Sequence, residues 1–465
     1  RRMRACVVSW GGADAARGWR GPSGGAGPVG VVGTLPSTVT SLAASRGSAA
    51  LDVSGRVFTW GFNDSRGGGD AFVRGRFGGA VEASGQLGRA LPAGAAPAAA
   101  RHTPATVALD EPAVAVASGR YHTLAAGASG RVFSWGLNDH GQLGRAARSL
   151  APGGVAGGGG GLRCRDGPAC VDGAPRSARW LRPPRLPAVV AVAAGRYFSI
   201  ALTAEGAVYV WGRSACGRPA PHPVGGYPAD AVGGYPADTV GGNPAGRRLE
   251  TRPYRIQGGG LESEHVVEAA AGYSHMLLRT ARGALYACES GDDGYAGRLP
   301  KQPPPNSHGQ LGRPGPLPME DALRPHRLPS AAFGGRRAVG VAAGRCASFA
   351  IDDAGALHSW GCAQANGFSP AADRGSPAPL LAPGRHGRVT AVAAGEYYGV
   401  AALHGSGGDG SGGGSGNGGG AAGGAAGGGD GGGGGDGADG GGAVLVWGAH
   451  ARSQTPVPLR GLRAA

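Results

Sequence analysis

Lysine is almost absent from this chain of 465 residues: 44 of its 45 basic residues are arginine, and Lys301 is the exception. Charged residues of all kinds make up only 16%, well below the quarter that is usual in globular proteins. The arginines are scattered singly or in pairs, which argues against a clustered phosphate-binding tail although the net charge is +15. An arginine excess beside so much Gly, Ala and Pro is typical of codon bias.

Long hydrophobic runs and targeting segments are also missing. No apolar stretch approaches about 18 residues, the length of a membrane-spanning helix, and no hydrophobic signal region stands near residue 1. The cysteines form no C-x-x-C pair and have no histidine partner at zinc-binding spacing. We therefore expect a soluble protein of a reducing compartment, cytoplasmic or nuclear or both, without metal or cofactor.

Small core residues are the expected role of the five cysteines that fall in or beside strand-like segments: Cys6, Cys216, Cys288, Cys346 and Cys362. The other two, Cys164 and Cys170, lie in a Gly-rich segment, where their C-x5-C spacing permits a loop disulfide.

Enzyme motifs are absent too. The chain has no G-x-x-x-x-G-K-[ST], no H-E-x-x-H and no G-x-S-x-G. His122 and His275 have the chemistry of general bases, but no nucleophile recurs beside them, so hydrogen-bonded structural histidines are the favoured interpretation. The sequence predicts no catalytic residue and no hydrolytic activity.

Glycine and proline, by contrast, are in large excess, with 97 and 35 residues. Segments this rich in them bury too little apolar surface to offset the entropy of ordering. We expect disordered insertions at residues 151–178, 218–250, 289–308 and 405–442. Repeat expansion is their favoured origin, with a binding role as the alternative.

The dipeptide Trp-Gly recurs at the end of short apolar segments. Six copies contain Trp, and in a seventh, GALYACE at residues 283–289, Cys288 takes the Trp position. The copies are 50 to 87 residues apart, which indicates one repeated unit with insertions. The repeat positions are Trp10, Trp60, Trp135, Trp211, Cys288, Trp360 and Trp447.

The unit is clearest at residues 114–145, which contain no insertion. Residues 114–117, 121–126 and 132–135 are expected strands joined by Gly-rich turns. They are apolar at most positions, as expected of a sheet that neighbouring sheets cover on both faces. Seven such units predict an all-β protein with a single β-propeller over residues 1–465.

Three motifs recur in the units: V-x-x-A-A-G, then G-x-V-x-x-W-G, then N-x-x-G-Q-L-G, which is best preserved at residues 138–144. Together they resemble the repeats of the regulator of chromosome condensation family, and the resemblance implies a seven-bladed propeller. Kelch and WD propellers fit less well, since they expect paired glycines and Trp-Asp. We expect units at residues 39–89, 114–145, 189–217, 266–313, 338–368 and 389–448, with a partial blade from 1–12 plus 455–465.

The partial blade is predicted to close the ring. Residues 455–460, TPVPLR, are similar to the segment that opens a unit at 103–107, whereas residues 3–11 are similar to the last strand of a unit. One blade shared by both ends of the chain would leave no free edge strand.

Residues just after the blade glycines are the candidate partner-binding surface, because Arg and Tyr side chains dominate protein interfaces. The alternative is that the Tyr rings pack along the blades and the Arg side chains are solvated. The candidates are Arg120, Tyr121, His122, Arg196, Tyr197, Tyr273, Arg345, Glu396 and Tyr397.

The family resemblance implies a protein-binding propeller, and we expect a monomeric regulator or guanine-nucleotide exchange factor of a Ran-type small GTPase. Plant members similar to the ultraviolet-B photoreceptor carry G-W-R-H-T repeats, but the chain has Arg120 at that Trp position, which disfavours light sensing. An adaptor or scaffold of unknown partner is the alternative. A chromatin-associated protein with weak nucleic-acid contact, suggested by the positive charge, is the third interpretation.

Overall fold

Six four-stranded antiparallel sheets and one two-stranded sheet make up the part of the protein that the structure describes. The computed structural model describes residues 5–9, 30–35, 38–45, 47–61, 85–89, 103–137, 140–144, 180–181, 186–218, 250–290, 304–368, 372–404, 442–448 and 453–464. The predicted insertion 151–178 lies outside these residues, as do residues 219–249, 291–303 and 405–441 of the other insertions. Trp10, in the first Trp-Gly copy, also lies outside them.

The four-stranded sheets are the blades of a propeller, numbered 1 to 6 along the chain, and within each blade the strands follow chain order. Blades 1 to 3 contain β3 (Val39–Ala44), β4 (Gly47–Asp52), β5 (Val57–Gly61), β6 (Ala105–Val107); β7 (Ala113–Ser118), β8 (His122–Gly127), β9 (Val132–Gly136), β10 (Trp180–Leu181); and β11 (Val189–Ala194), β12 (Phe198–Thr203), β13 (Val208–Gly212), β14 (Glu250–Arg255). Blades 4 to 6 contain β15 (Val266–Ala271), β16 (His275–Thr280), β17 (Leu285–Glu289), β18 (His326–Arg327); β19 (Ala338–Ala343), β20 (Ala347–Asp352), β21 (Leu357–Gly361), β22 (Arg374–Leu381); and β23 (Arg388–Ala394), β24 (Tyr398–His404), β25 (Gly442–Gly448), β26 (Ser453–Ala464). Blades that follow one another in the chain pack against each other.

The predicted number of seven blades is wrong, because the described residues form six. Within the described ranges, β1 (Ala5–Ser9) pairs with β2 (Gly30–Leu35) and with no other strand, in the two-stranded sheet. The described parts of residues 1–12 and 455–465, predicted to share a blade, lie in separate sheets, since β1 pairs with β2 and β26 pairs with β25 in blade 6. The chain returns along β25 within a few residues of Gly448, and closing so short a loop costs less entropy than pairing with a distant segment.

Proline marks the last strand of several blades. Residues 103–107 and 455–460, predicted to open units, instead contribute to the last strands β6 and β26. Proline lacks the N–H that a central strand must donate, so an edge strand is where a sheet tolerates it. The last strands β14, β22 and β26 contain Pro253, Pro377, Pro379, Pro456 and Pro458.

Helices are short in the described part of the chain. They are α1 (Met319–Ala322), α2 (Pro383–His386) and the 3-10 helices Leu261–Ser263 and Ser330–Phe333. None of the described helices has the length and apolar character needed to cross a membrane.

A repeated backbone hydrogen bond joins each blade to the next. The turn between the second and third strands of blade 2 contains Gly130 with φ 80°, and its carbonyl accepts a hydrogen bond from the N–H of Val189, 3.0 Å away, at the start of blade 3. Alanine there would place its Cβ 2.6 Å from the Cα of Ala188. The same bond recurs with donors Ala113, Val266, Ala338 and Val389 and acceptors Gly55, Gly206, Gly283 and Gly355, respectively.

The Trp side chains provide a second connection between blades. Trp211 is fully buried, and its Nε1 donates to the backbone carbonyl of Gln142, at 2.9 Å. Gln142 lies in the segment that follows the third strand of blade 2, which we call the tail of the blade. The G-Q-L-G motif therefore supplies a carbonyl acceptor for the next blade. Equivalent 2.9 Å bonds join Trp135 to Gln86, Trp360 to Gln310 and Trp447 to Ala365.

Cys288 occupies the Trp position, as predicted. It pairs with Met276 across β16 and β17 at the register where Trp211 pairs with Ser199. Instead of donating to a carbonyl, Cys288 forms a disulfide with Cys216 in the tail of blade 3.

Four of the cysteines that the sequence predicts to be small core residues are bonded in two pairs, which the sequence did not predict. Cys216 bonds to Cys288 and Cys346 bonds to Cys362. Stable disulfides are typical of oxidising compartments, which disagrees with the predicted reducing environment. The predicted pair of Cys164 and Cys170 lies outside the described residues.

Buried histidines extend the Trp connections. His275 Nε2 lies 2.9 Å from the Ser348 hydroxyl, which in turn donates to the Gln310 carbonyl at 2.8 Å. Because the hydroxyl proton is used on the carbonyl, Nε2 must be the protonated nitrogen of His275. Its Nδ1 has no hydrogen-bond partner among the described residues. Burial lowers the pKa of His275 to about 4.

Acid is expected to destabilise the propeller through His275. In the unfolded chain His275 binds a proton near the ordinary histidine pKa of about 6.5, whereas in the folded protein it binds the proton only near pH 4. The stability that depends on a neutral His275 is therefore fully present above pH 6.5 and falls as the pH drops towards 4. The slope for this group reaches about 1.4 kcal/mol per pH unit. Urea unfolding of the wild-type protein and His275→Gln at several pH values measures it. Equal slopes between pH 6.5 and 4.5 would contradict the prediction.

Candidate functional site

The predicted binding residues gather at one end of the blades because the glycines before them let the blades approach closely. A Cβ on Gly119 would lie 2.6 Å from the carbonyl oxygen of Gly195, and a Cβ on Gly344 would lie 2.6 Å from that of Gly395. The side chains that follow these glycines therefore crowd around one opening. We call six of them the mouth cluster: Arg120, Arg196, Tyr273, Arg345, Glu396 and Tyr397.

Arg120 is the most central residue of the mouth cluster. Its guanidinium donates to the Tyr121 hydroxyl at 2.9 Å, to the Tyr273 hydroxyl, and to Glu396 Oε1 at 3.3 Å. These contacts join blade 2 to blades 4 and 6. Only 6% of Arg120 is exposed, so it holds the side chains of the mouth together from a buried position.

Arg345 approaches the same glutamate from blade 5. Its guanidinium donates to Glu396 Oε1 at 3.2 Å and to the Tyr397 hydroxyl, and it lies 5.5 Å from the ring centre of Tyr273. In contrast to Arg120, its side chain is 43% exposed. Arg345 is therefore the arginine of this pair that a partner can reach.

Arg196 completes the cluster from blade 3. Its guanidinium carbon lies 4.9 Å from the ring centre of Tyr197 and 5.9 Å from that of Tyr273. These are cation–π distances, and Arg196 is half-buried. The described cluster thus contains three arginines and one carboxylate, which makes the mouth positively charged.

Electrostatics keep the cluster in this charge state. Burial acts to lower the pKa of Arg120, but the neighbouring oxygens of Tyr273, Tyr121 and Glu396 outweigh it and raise that pKa. Burial also raises the pKa of Tyr273, with a further contribution from Glu396. Tyr273 therefore remains a neutral phenol and Arg120 a cation at physiological pH.

Besides Arg120, three of the predicted surface residues are buried. Tyr121 and His122 have 0% of their surface exposed and Tyr197 has 3%. The rings of Tyr121 and Tyr197 stack with centres 5.4 Å apart, and His122 Nε2 lies 2.8 Å from the Ser199 hydroxyl. They support the mouth from below, which agrees with the alternative that Tyr rings pack along the blades.

His140 is a supporting residue that sequence reasoning missed. Its ring stacks on Tyr197 with centres 4.2 Å apart, beneath the mouth. The sequence signal that could have indicated this role is the position of His140 in the motif at residues 138–144. That motif also supplies the Gln142 carbonyl to the next blade.

No group of three or more His, Cys, Asp and Glu side chains suited to a metal ion occurs within the described ranges. The mouth cluster also pairs its one carboxylate with two arginines, which suits recognition rather than proton transfer. Its chemistry is that of a positively charged, aromatic contact surface.

Six blades that repeat the same strand order, most with a Trp on the third strand, define a β-propeller of Trp-Gly repeats. The sequence model of the regulator of chromosome condensation (RCC1) repeat matches residues 113–142 and 189–218, and a second model of this repeat matches 129–202. The chain therefore contains regulator of chromosome condensation repeats, as its motifs predict.

Individual relatives match part of the chain. It is 27% identical over 202 residues to the regulator of chromosome condensation of Xenopus laevis, which covers 43% of this chain and 36% of the relative. It is 28% identical over 221 residues to the secretion-regulating guanine nucleotide exchange factor of Bos taurus, with 45% and 39% covered. The chain thus spans little more than a third of the length of these relatives.

A solved structure is similar in fold over nearly the whole chain. The crystal structure of human WBSCR16 aligns with a TM-score of 0.56 at 17% identity, covering 98% of this chain and 94% of that one. This likeness concerns the fold alone.

Proposed function

We propose that this propeller binds a small GTPase of the Ran type through the mouth cluster and acts as its regulator or guanine-nucleotide exchange factor. The observation that carries the proposal is the convergence of Arg, Tyr and Glu side chains from five blades at one opening, with Arg345 exposed there. Relatives named as a regulator of chromosome condensation and as a guanine nucleotide exchange factor support it.

The mouth is suited to protein binding because it is already ordered. Glu396 and Tyr397 hold the Arg345 guanidinium, and Tyr273 lies against it. Fixing a flexible side chain costs binding free energy, and a side chain that is fixed beforehand avoids most of that cost. Arg and Tyr are also the residues that most often dominate protein interfaces.

Exchange requires no catalytic residue in the usual sense. A propeller that binds the nucleotide-free GTPase more tightly than the nucleotide-bound form lowers the affinity for nucleotide by the same factor, because the two binding equilibria are linked. Selective binding of one state of the partner is therefore sufficient.

Capture of a purified Ran-type GTPase tests this proposal. With EDTA to remove Mg²⁺ and nucleotide, the immobilised wild-type protein is expected to retain the GTPase, and excess GDP with Mg²⁺ is expected to release it. Arg345→Glu reverses the charge at the exposed part of the mouth and is expected to weaken capture at least about tenfold, or about 1.4 kcal/mol. Arg120 is left unchanged because it is buried.

The chain offers a matched control for Arg345. Arg336 precedes β19 by two residues, Arg345 follows it by two, and the Arg336 side chain is 54% exposed at the opposite end of the blade. Arg336→Glu is expected to leave capture unchanged. Equal binding by both variants would contradict the role of the mouth, and wild-type binding that ignores the nucleotide state would favour an adaptor.

A further inference from the structure

Two disulfides occupy contact positions that recur from blade to blade. In blades 2 to 5, the second residue after the blade glycine accepts a backbone hydrogen bond from the second residue after the Trp position. Blade 5 places Cys346 and Cys362 at this pair, with an N–O distance of 2.9 Å, whereas blade 4 has Ser274 and Ser290 there. In blade 5 alone of these four, a covalent bond is added to the repeated contact.

The other disulfide replaces a connection between blades. At this boundary the third-strand residue is Cys288, and its partner Cys216 lies in the preceding tail, which at other boundaries supplies the carbonyl that accepts from Trp. Cys216 has 0% of its surface exposed and Cys288 has 1%. This disulfide is therefore buried between blades 3 and 4.

Exposure distinguishes the two disulfides. Cys346 is half-buried and directly follows Arg345 at the mouth, whereas Cys362 is 2% exposed. Thiol–disulfide exchange requires a thiolate to reach one sulfur of the bond, so access governs the rate. Cys346 is therefore the more accessible residue of this disulfide, next to Arg345 in the chain.

We propose that the Cys346–Cys362 disulfide is a reversible thiol–disulfide exchange site at the mouth, with dithiols as its substrate class, and that Cys216–Cys288 is a protected staple between blades 3 and 4. A dithiol thiolate attacks Cys346 Sγ, the Cys346–Cys362 bond breaks, and Cys362 leaves as a thiolate that takes up a proton. The second thiol of the reagent then displaces Cys346, which is protonated in turn. The reagent is oxidised to its cyclic disulfide, and the protein gains two thiols.

Differential alkylation of the folded full-length chain, prepared without reductant, tests this assignment. After a brief exposure to dithiothreitol, iodoacetamide is expected to label Cys346 and Cys362 while Cys216 and Cys288 stay linked until urea is added. Trypsin cleavage after Arg345 and Arg374 leaves the first pair in one peptide, whereas Cys216 and Cys288 fall in two peptides joined by their disulfide. Peptide masses therefore separate the two events.

A double variant supplies the control. Cys346→Ser with Cys362→Ser recreates the pair that blade 4 already carries, so the fold is expected to be kept and the early gain of two labels to be lost. Reduction of both disulfides at the same rate, prior reduction of Cys216–Cys288, or free thiols at Cys346 and Cys362 before dithiothreitol would overturn the proposal. None of these outcomes depends on GTPase binding, so the test is separate from the proposed function.

Discussion

Replacing Trp211 by alanine is expected to lower the free energy of unfolding by about 3–5 kcal/mol. The side chain is completely buried, and its Nε1 donates to the Gln142 carbonyl of the neighbouring blade at 2.9 Å. Alanine removes both the packing volume and one of the hydrogen bonds between blades 2 and 3. Urea unfolding followed by far-UV circular dichroism measures the loss without relying on Trp fluorescence.

Two controls separate volume from hydrogen bonding. Trp211→Phe retains most of the volume, and the Gln142 carbonyl still accepts a hydrogen bond from the Ser199 hydroxyl at 2.7 Å, so a loss of only about 1–2 kcal/mol is expected. Val190→Ala alters a side chain that is 45% exposed in the same blade and is expected to change stability by about 0.5 kcal/mol or less. Similar losses for Trp211→Ala and Val190→Ala would contradict the packing described for the blades.

Replacing Arg120 by alanine is expected to cost about 2–4 kcal/mol of stability, an unusual amount for an arginine. Arg120 is 6% exposed, and its guanidinium donates hydrogen bonds to the hydroxyls of Tyr121 and Tyr273 and to Glu396. Its removal takes this donor from the two hydroxyls and leaves Glu396 with Arg345 alone of the two arginines that contact it. The same urea titration measures the effect.

Arg345 is the matched control for that variant. It contacts the same oxygen, Glu396 Oε1, but its side chain is 43% exposed and its ion pair is screened by water. Arg345→Ala is therefore expected to cost about 1 kcal/mol or less. If Arg120→Ala proves as mild as Arg345→Ala, the mouth is not organised around Arg120.

The blade architecture could be predicted because each unit repeats the same local signals. Gly-rich turns and apolar segments define the hairpin of β8 and β9, and the frame of the repeat places Cys288 on a strand where other copies have Trp. The resemblance to the repeat family rests on the same residues, and the family match confirms it. These features depend on neighbours in sequence, which makes them visible without a structure.

The number of blades was harder to predict from the sequence. The Trp-Gly motif marks a third strand but does not say whether a first and last strand accompany it. β1, which precedes the first copy in the chain, pairs with β2 in a sheet of two strands among the described residues. A bulge in the first strand of every blade also lacks a sequence signal. In blade 3, Val189 and Ala191 pair with Thr203 and Leu202, and Val190 between them is left exposed.

The mouth cluster was predicted as a set of positions but not as a network. Arg120 and Glu396 are 276 residues apart, and nothing near either residue indicates that they meet. The difference between buried Arg120 and exposed Arg345 likewise depends on which blade faces the opening. The disulfides were missed for the same reason, since spacing along the chain does not show which cysteines the blades bring together.

Release of a fluorescent GDP analogue from a Ran-type GTPase tests the central claim most directly. The wild-type protein is expected to accelerate release in proportion to its concentration, Arg336→Glu to do so equally well, and Arg345→Glu to do so at least about tenfold less. Acceleration no greater than that produced by an unrelated propeller would contradict the claim that this mouth acts on a small GTPase.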